Sequence, residues 1–225
     1  MRTKLKWTLL VIGACLAITT SVRAGASDLS GFWQLQSNNA SSKPELTPWA
    51  TAQKAKLHLS GEAIKEDLDW CVFQGIPFAM DQAGPLDIIV APREIVITAE
   101  KLALQRHLYT DNQKSPDPKI FDETPVGNTH AHWDGDVLKA ETWGLTDGVG
   151  PAGIPRTRTS KLQEEFRLSG DSLTVISTWT DPKALHRPYT YTLVYKRLPA
   201  DSAATENYCD PRKNGVGNHA LDAYH

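Results

Sequence analysis

The sequence predicts a single all-β domain, an antiparallel barrel of about eight or nine strands with one short helix. Two observations lead to this prediction. Short segments of alternating apolar and polar residues recur from residue 86 to residue 197, and only one segment has a helical composition. A meander of hairpins must protect its sheet edges, which it does by closing into a barrel or by forming two packed sheets. A β-sandwich is therefore the alternative fold.

The first 24 residues have the pattern of an export signal. Three basic residues precede an apolar run over residues 7–20, and Val22 and Ala24 suit signal-peptide cleavage. We expect a mature domain over residues 25–225, periplasmic or secreted, with a loosely ordered tail from about residue 200. The alternative is a lipoprotein anchored at Cys15, but apolar residues continue beyond that cysteine where a polar tether is expected.

Charge and hydropathy exclude two classes of partner. Cleavage after Ala24 removes four basic residues and no acidic ones, so the net charge falls from -2 to about -6. A nucleic-acid partner is not expected, because binding to phosphates draws on clustered Lys and Arg. No second apolar stretch is long enough to span a bilayer as a helix. We expect a small-molecule partner, and the sequence leaves the oligomeric state open.

The mature chain keeps two cysteines, Cys71 and Cys209. Two cysteines in an oxidising compartment pair more often than they stay free, so we predict a disulfide between them. Closing a loop of this length stabilises a fold by roughly 2–4 kcal/mol in the chain-entropy model. A reactive thiol is the alternative, but the sequence shows neither a CxxC motif nor a histidine close to either cysteine.

The N-terminal half begins with a short strand over residues 31–35 and a polar linker over residues 37–44. One helix is predicted over residues 48–57, because Thr47 can cap it and Pro48 suits its first turn. We expect this helix to cover one opening of the barrel. Residues 71–85 contain two glycines and two prolines, which predicts an ordered loop rather than a helix or strand.

The remaining strands follow in hairpins. Asp134-Gly135-Asp136 and Ser169-Gly170-Asp171 are strong turn signals. The predicted strands cover residues 86–90, 94–100, 104–110, 130–133, 137–143, 162–168, 172–179 and 189–197.

Five short motifs along most of the mature chain resemble a family of uncharacterised exported bacterial all-β proteins, lipocalin-like in general look. They are Leu-Ser-Gly-Phe-Trp at residues 29–33, the loop at 71–77, Arg-His-Leu-Tyr at 106–109, Trp-Asp-Gly-Asp-Val-Leu at 133–138, and Asp-Pro at 181–182 with Pro188. The resemblance implies exported all-β architecture and no particular reaction. Where the family has Gly-His-Ser, this chain has Gly127-Asn128-Thr129, so a histidine role at residue 128 does not carry over.

Two histidines share one face of a predicted strand. His130 and His132 are two residues apart, so both imidazoles point to the same side. They could hold zinc or another divalent metal with His107 or Glu141 as a third ligand. They could equally be exposed or hydrogen-bonded histidines, or act in acid–base chemistry. Apart from that metal, no cofactor is expected.

Alternation divides each strand into two faces without saying which face is the interior. His107 and Tyr109 oppose Arg106, and Glu141 and Trp143 lie on one face of the next hairpin. Such a polar and aromatic mixture fits a cavity for a small amphipathic ligand, and it fits the solvated face of an ordinary sheet as well.

The loop at residues 181–189 offers a third group of polar side chains. His186 and Asp181 could shuttle a proton there. In the alternative interpretation Asp181 caps the backbone of a turn and Arg187 is solvated.

Together these residues favour a cofactor-independent lyase or isomerase that acts on a small, partly aromatic molecule in the barrel cavity. The candidate catalytic residues are His132, His107, Glu141 and His186, with Arg106 to stabilise an anion; the candidate ligand contacts are Trp133, Trp143, Tyr109 and Tyr189. A non-catalytic binding barrel and a structural or envelope-interaction protein are the alternatives. Phosphate-binding loops, dinucleotide fingerprints and nucleophile elbows are absent from the sequence, which argues against NAD, ATP and α/β-hydrolase chemistry.

Overall fold

A computed structural model describes residues 29–56, 75–82, 84–99, 104–110 and 123–203. The predicted export signal, Cys71, Cys209 and the C-terminal tail lie outside the described residues. The disulfide and the cleavage site therefore stay predictions. Within the described ranges, no helix is both long enough and apolar enough to cross a membrane.

Nine strands form a closed barrel, which confirms the predicted fold class over the β-sandwich. In chain order they are β1 (Gly31–Ala40), β2 (Pro85–Val90), β3 (Glu94–Ala99), β4 (Leu104–Tyr109), β5 (Asn128–Asp134), β6 (Val137–Trp143), β9 (Lys161–Ser169), β10 (Ser172–Thr180) and β11 (Tyr189–Arg197). A small hairpin of β7 (Gly148–Val149) and β8 (Pro155–Arg156) stands between β6 and β9 in the sequence and forms a separate two-stranded sheet. Around the barrel the order is β1, β11, β10, β9, β6, β5, β4, β3, β2, and β2 pairs with β1.

One strand pair departs from the predicted antiparallel meander. β4 and β5 run parallel, with Leu108 beside Thr129 and Tyr109 beside His130. Parallel neighbours need a long connection, and residues 110–127 supply it. The barrel is therefore mixed rather than wholly antiparallel.

The first strand is longer than predicted. β1 continues to Ala40 because residues 37–40 pair with β11 after a register shift between Leu35 and Ser37. The side chains of residues 37–40 are largely exposed, so they do not need to be apolar. The predicted linker over residues 37–44 was therefore wrong in its first half, since backbone pairing does not require apolar side chains.

The predicted helix forms as α1 (Pro48–Lys56), and Thr47 caps it by accepting the Ala50 N–H at 3.1 Å. Ala50 is fully buried. The Thr47 N–H donates to Ala184 O at 3.0 Å, and Lys54 Nζ donates to Ala152 O at 2.7 Å. The helix thus lies on the β10–β11 connection and the β7–β8 hairpin, at the barrel end where β10 finishes and β11 begins.

The predicted loop contains a short helix. Phe78–Asp81 forms a turn of 3-10 helix, and Met80 is buried. The Tyr195 hydroxyl donates to Met80 O at 2.5 Å, which fixes this turn to β11. Gly75 enters the turn at φ +68, where a Cβ would collide with the carbonyl oxygen of Pro125. Only glycine meets both conditions.

The barrel interior is filled by the side chains of its own strands. On β10 the inward set is Leu173, Val175, Ser177 and Trp179, all with 0% exposure. The inward sets of the other strands are mostly apolar, for example Ile95 and Ile97 on β3. These buried side chains form a hydrophobic core inside the barrel.

One ion pair crosses this core. Arg106 on β4 donates to both carboxylate oxygens of Glu164 on β9, and Arg106 Nη2 also donates to Thr142 Oγ1 at 3.0 Å. Thr129 and Thr142 share a hydrogen bond of 2.8 Å beside it. Both charged side chains are almost fully buried. Because β5 and β6 separate the two strands in the sheet, the pair spans the interior rather than linking neighbours.

A buried carboxylate organises the loops at the end of the barrel. Asp181 accepts from the Thr157 N–H at 2.8 Å and from the Ser160 hydroxyl at 2.6 Å. It also accepts the N–H groups of Lys183 and Ala184 at 3.1 and 3.2 Å. The prediction that Asp181 caps a backbone turn is confirmed, and Asp181 also holds the chain segment before β9.

We expect Asp181→Asn to lower the free energy of unfolding by about 2–4 kcal/mol, because a neutral amide accepts these donors less well and turns its own N–H groups toward them. Urea unfolding measures the change. Asp171→Asn, at a side chain 79% exposed in the β9–β10 turn, is the matched control and should change stability by less than about 0.5 kcal/mol. Equal stabilities of the two variants would contradict the role given to Asp181.

We expect Arg106→Met and Glu164→Leu each to cost about 3–5 kcal/mol, because each leaves one charge buried without its partner. The double variant should recover most of that loss, since two apolar side chains suit the surrounding core. Urea unfolding of the wild type, both single variants and the double variant completes the cycle. If the stability loss of the double variant equals the sum of the two single losses, the single losses do not come from leaving one charge without its partner.

Candidate functional site

The predicted polar residues lie on the outside of the barrel. On β5, His132 is exposed and His130 half-buried, whereas Thr129 and Ala131 between and before them are buried. On β4, His107 and Tyr109 alternate with the buried Arg106 and Leu108 in the same way. The hypothesis that these polar faces line the lumen is therefore corrected. The opposite faces carry the apolar side chains, and burying those side chains decides which face turns inward.

Strand register aligns the outer polar residues in a row. Tyr109 lies beside His130, His130 opposite Glu141, Glu141 opposite Gln163, and Gln163 opposite Thr178. Neighbouring strands are about 4.8 Å apart, so the row is continuous across five strands.

A second row runs beside the first and is offset from it by two residues on each of four strands. Its members are His132 on β5, Lys139 on β6, Glu165 on β9 and Ile176 on β10.

Between the two rows lies a concavity of about 480 Å³. The side chains that line it from the outer face are His130, His132, Lys139, Glu141, Gln163, Glu165, Ile176 and Thr178. It is thus formed by β5, β6, β9 and β10 together. Two predicted catalytic residues, His132 and Glu141, and the predicted metal candidate His130 meet here.

Two of the three charged side chains that line the concavity from the outer face, Lys139 and Glu165, form ion pairs with residues outside it. Lys139 Nζ lies 2.7 Å from Asp134 Oδ2, and this hydrogen bond lowers the pKa of Asp134 and raises that of Lys139. Arg167 Nη2 lies 2.5 Å from Glu165 Oε2. Glu141 differs, because its side chain forms no hydrogen bond or ion pair with any other residue in the described ranges.

His107 forms a separate arrangement on the adjoining strands. Its Nδ1 lies 2.8 Å from Glu94 Oε2, and its ring stacks on Tyr109 with centroids 6.2 Å apart. The side chain of His107 is about one-third exposed. The carboxylate orients the imidazole and leaves Nε2 for other partners.

The other predicted residues do not join the concavity. Arg106 lies in the core. Tyr189 is buried there and stacks on Tyr191; burial, and after it the charge of Asp81, raises the pKa of Tyr189. Trp133 packs on the core from the inner face. The side chain of His186 is exposed in the β10–β11 connection, where the backbone N–H of His186 donates to Glu45 O.

Trp143 lies on the outer face of β6, two residues beyond Glu141 and outside the lining of the concavity. The candidate catalytic set therefore does not converge on one point.

Sequence reasoning named three of the eight lining residues, His130, His132 and Glu141, and missed the other five. Alternation placed Ile176 and Thr178 on one face of β10 but could not say that β9 would stand between β6 and β10. The signal that could have found Lys139 and Glu165 is their shared parity with Glu141 and Gln163 on the same strands.

A metal role for His130 and His132 lacks a third ligand. Across the parts of the chain that the structure describes, no group of three or more His, Cys, Asp or Glu side chains is arranged to hold a metal ion. Structural zinc sites use four ligands and catalytic ones at least three, so two imidazoles alone do not make such a site.

The 3-10 turn carries a titratable group that sequence reasoning did not single out. Asp81 accepts a hydrogen bond from Asn38 Nδ2 at 3.1 Å, and burial raises its pKa to about 6. Asp81 lies on the far side of β11 from the concavity, so it is not part of that site.

No protein-family model matches this chain, and no curated protein matches it in sequence. Among solved structures, the chain is similar to the fluorescent protein UnaG, with a TM-score of 0.39 and 10% identity over 77% of this chain and 99% of that one. Zebrafish ileal bile acid-binding protein complexed with cholic acid gives a TM-score of 0.37 and 9% identity, over 75% and 98% of the two chains. An SAHS protein from Ramazzottius varieornatus gives 0.36 and 13%, over 76% and 95%. Similarity at this level transfers neither a ligand nor a role.

Proposed function

We propose that this protein is an exported small-molecule-binding barrel that holds its ligand in the concavity on the outer face of β5, β6, β9 and β10. One observation carries the proposal. The concavity gathers two imidazoles, a carboxylate without a partner among the described residues, an amide and the apolar Ile176 into about 480 Å³. Small-molecule sites have volumes of this order and combine an apolar surface with a few polar groups that fix orientation.

Binding explains this geometry better than catalysis does. A general base needs a partner that orients it and a proton within reach. The side chains of His130, His132 and Glu141 form no hydrogen bonds with one another among the described residues. Recognition of a ligand requires only that donors and acceptors face the same space. The proposal needs no cofactor, and it assigns the protein to the periplasm or the exterior, after removal of residues 1–24.

A tryptophan that fills the concavity tests this proposal. Thr178→Trp places an indole ring beside Ile176 within the concavity, whereas Ser172→Trp places the same ring on the same face of β10 but six residues from Thr178 and four from Ile176. Ligand-observed NMR with a library of small amines, carboxylic acids and alcohols, each with one aromatic ring, measures binding. We expect hits on the wild type and on Ser172→Trp, and binding at least about 10-fold weaker on Thr178→Trp.

Backbone amide shifts locate the hits on the barrel. Shifts confined to β5, β6, β9 and β10 support the proposed site. Hits that bind both tryptophan variants equally well would place the ligand elsewhere, and a library without any hit would remove the support for binding.

His107 supports a second candidate function, a cofactor-independent lyase or isomerase. The observation in its favour is the hydrogen bond of 2.8 Å from Nδ1 to Glu94, because a carboxylate partner holds an imidazole in the orientation that a general base needs. The stacked ring of Tyr109 offers a surface for a small, partly aromatic substrate.

Proton exchange in D₂O tests this second candidate. Lyases and isomerases of this kind begin by removing a proton next to a carbonyl group, so NMR should show loss of that proton signal from aromatic keto acids. We expect His107→Gln to lower the exchange rate on the order of 10²–10⁴-fold. Gln105→Ala, exposed on the same face of β4, should not change it. Equal rates for wild type and His107→Gln would contradict a catalytic His107.

A further inference from the structure

Among the described residues, one charged side chain that lines the concavity has no ion-pair partner. Lys139 is paired with Asp134, and Glu165 is paired with Arg167. Glu141 has no such partner there and stands in the middle of the outer row, between His130 and Gln163. Its carboxylate is therefore open to a positive charge from outside.

We propose that the concavity binds a small organic cation, a primary amine on a short aromatic or apolar body, with Glu141 as its counter-charge. This inference rests on the proposed binding function and specifies its ligand. An anion would meet the opposite situation. It would have to displace Asp134 from Lys139 while lying close to the carboxylate of Glu141, and both steps oppose binding.

The neighbours of Glu141 can satisfy the remaining protons of an ammonium group. A primary ammonium has three N–H donors and accepts none. Gln163 lies opposite Glu141 on β9, and Thr178 lies opposite Gln163 on β10, so an amide carbonyl and a hydroxyl follow the carboxylate along the row. The Thr178 hydroxyl lies 3.1 Å from that of Thr190 and keeps a lone pair for a further donor.

The body of the amine has two surfaces beside this charge. Ile176 forms the apolar part of the concavity. On the other side, Tyr109 is the strand neighbour of His130 and is 36% exposed. Tyr109 lies two strand spacings from Glu141, roughly 10 Å, and Ile176 lies two strand spacings and two residues away, roughly 12 Å. Because the side chains of the site extend into the space between, a single ring on a two-carbon chain can contact either surface while its ammonium stays at Glu141.

The overall charge of the protein agrees with a cationic ligand. The chain has 24 basic and 26 acidic residues, and the proposed loss of residues 1–24 makes it more negative. A negative protein attracts cations over distances beyond direct contact. This long-range term is screened by salt, so binding should weaken as ionic strength rises.

Two probes of nearly equal size and opposite charge test the inference. Phenethylamine and phenylpropanoate each carry one phenyl ring on a two-carbon chain, and NMR titration of the mature protein gives their affinities. We expect phenethylamine to bind the wild type more tightly. Glu141→Gln should weaken it roughly 3- to 10-fold, since a partly exposed ion pair contributes modestly. Asp136→Asn removes one negative charge from the turn of the same hairpin and should have no comparable effect.

Charge reversal gives the sharper result. Glu141→Lys should abolish measurable phenethylamine binding and allow phenylpropanoate to bind. Because the side chain of Glu141 is exposed, the thermal unfolding of both Glu141 variants should match that of the wild type, which separates loss of binding from loss of fold.

The failures of the two proposals look different. Tighter binding of phenylpropanoate to the wild type, with amide shifts on β5, β6, β9 and β10, would overturn the cation inference and leave the binding site in place. Equal affinity of phenethylamine for wild type and Glu141→Lys would also overturn it. If neither probe shifts those four strands and Thr178→Trp removes no hit from the wider library, both proposals are wrong.

Discussion

The filled interior of the barrel is the constraint on which the rest of the structure depends. Nine strands turn their apolar side chains inward, and Arg106 reaches across the centre to meet Glu164. Two buried charges are tolerated there because each neutralises the other and because Thr142 accepts a further N–H from the guanidinium. The described interior is thus occupied by the protein itself, and the polar residues of the same strands are left on the outside.

This arrangement moves the search for function from the lumen to the outer face. The outer surface of a barrel is convex, yet the side chains of β5, β6, β9 and β10 leave a concavity between two rows of mostly polar residues. The rigid sheet beneath fixes their spacing, so donors and acceptors are held in place without loops. Pairing of Lys139 with Asp134 and of Glu165 with Arg167 then leaves Glu141 as the unbalanced charge.

The barrel end is stabilised by a different device. Asp181 accepts hydrogen bonds from the segment before β9 and from its own turn, and the backbone hydrogen bond from Thr47 to Ala184 joins the start of α1 to the same turn. Loops closed by one buried carboxylate depend on each other, because removing the acceptor leaves several buried donors unsatisfied at once. The candidate concavity lies on the strands rather than on these loops, which separates the elements that stabilise the fold from those proposed to bind.

The fold class, the cap of α1 at Thr47, the two hairpin turns and the sorting of each strand into two faces could all be predicted from the amino-acid sequence. These follow from local rules: alternation has a period of two, and caps and turns depend on a few adjacent residues. Long-range contacts in the folded chain were needed to show which face is interior, that β4 and β5 run parallel, and that Glu141 lies opposite Gln163. Arg106 shows the reason most clearly. An arginine on an alternating strand suggests solvent, and only a glutamate three strands along the sheet, brought close by closure of the barrel, makes its burial stable.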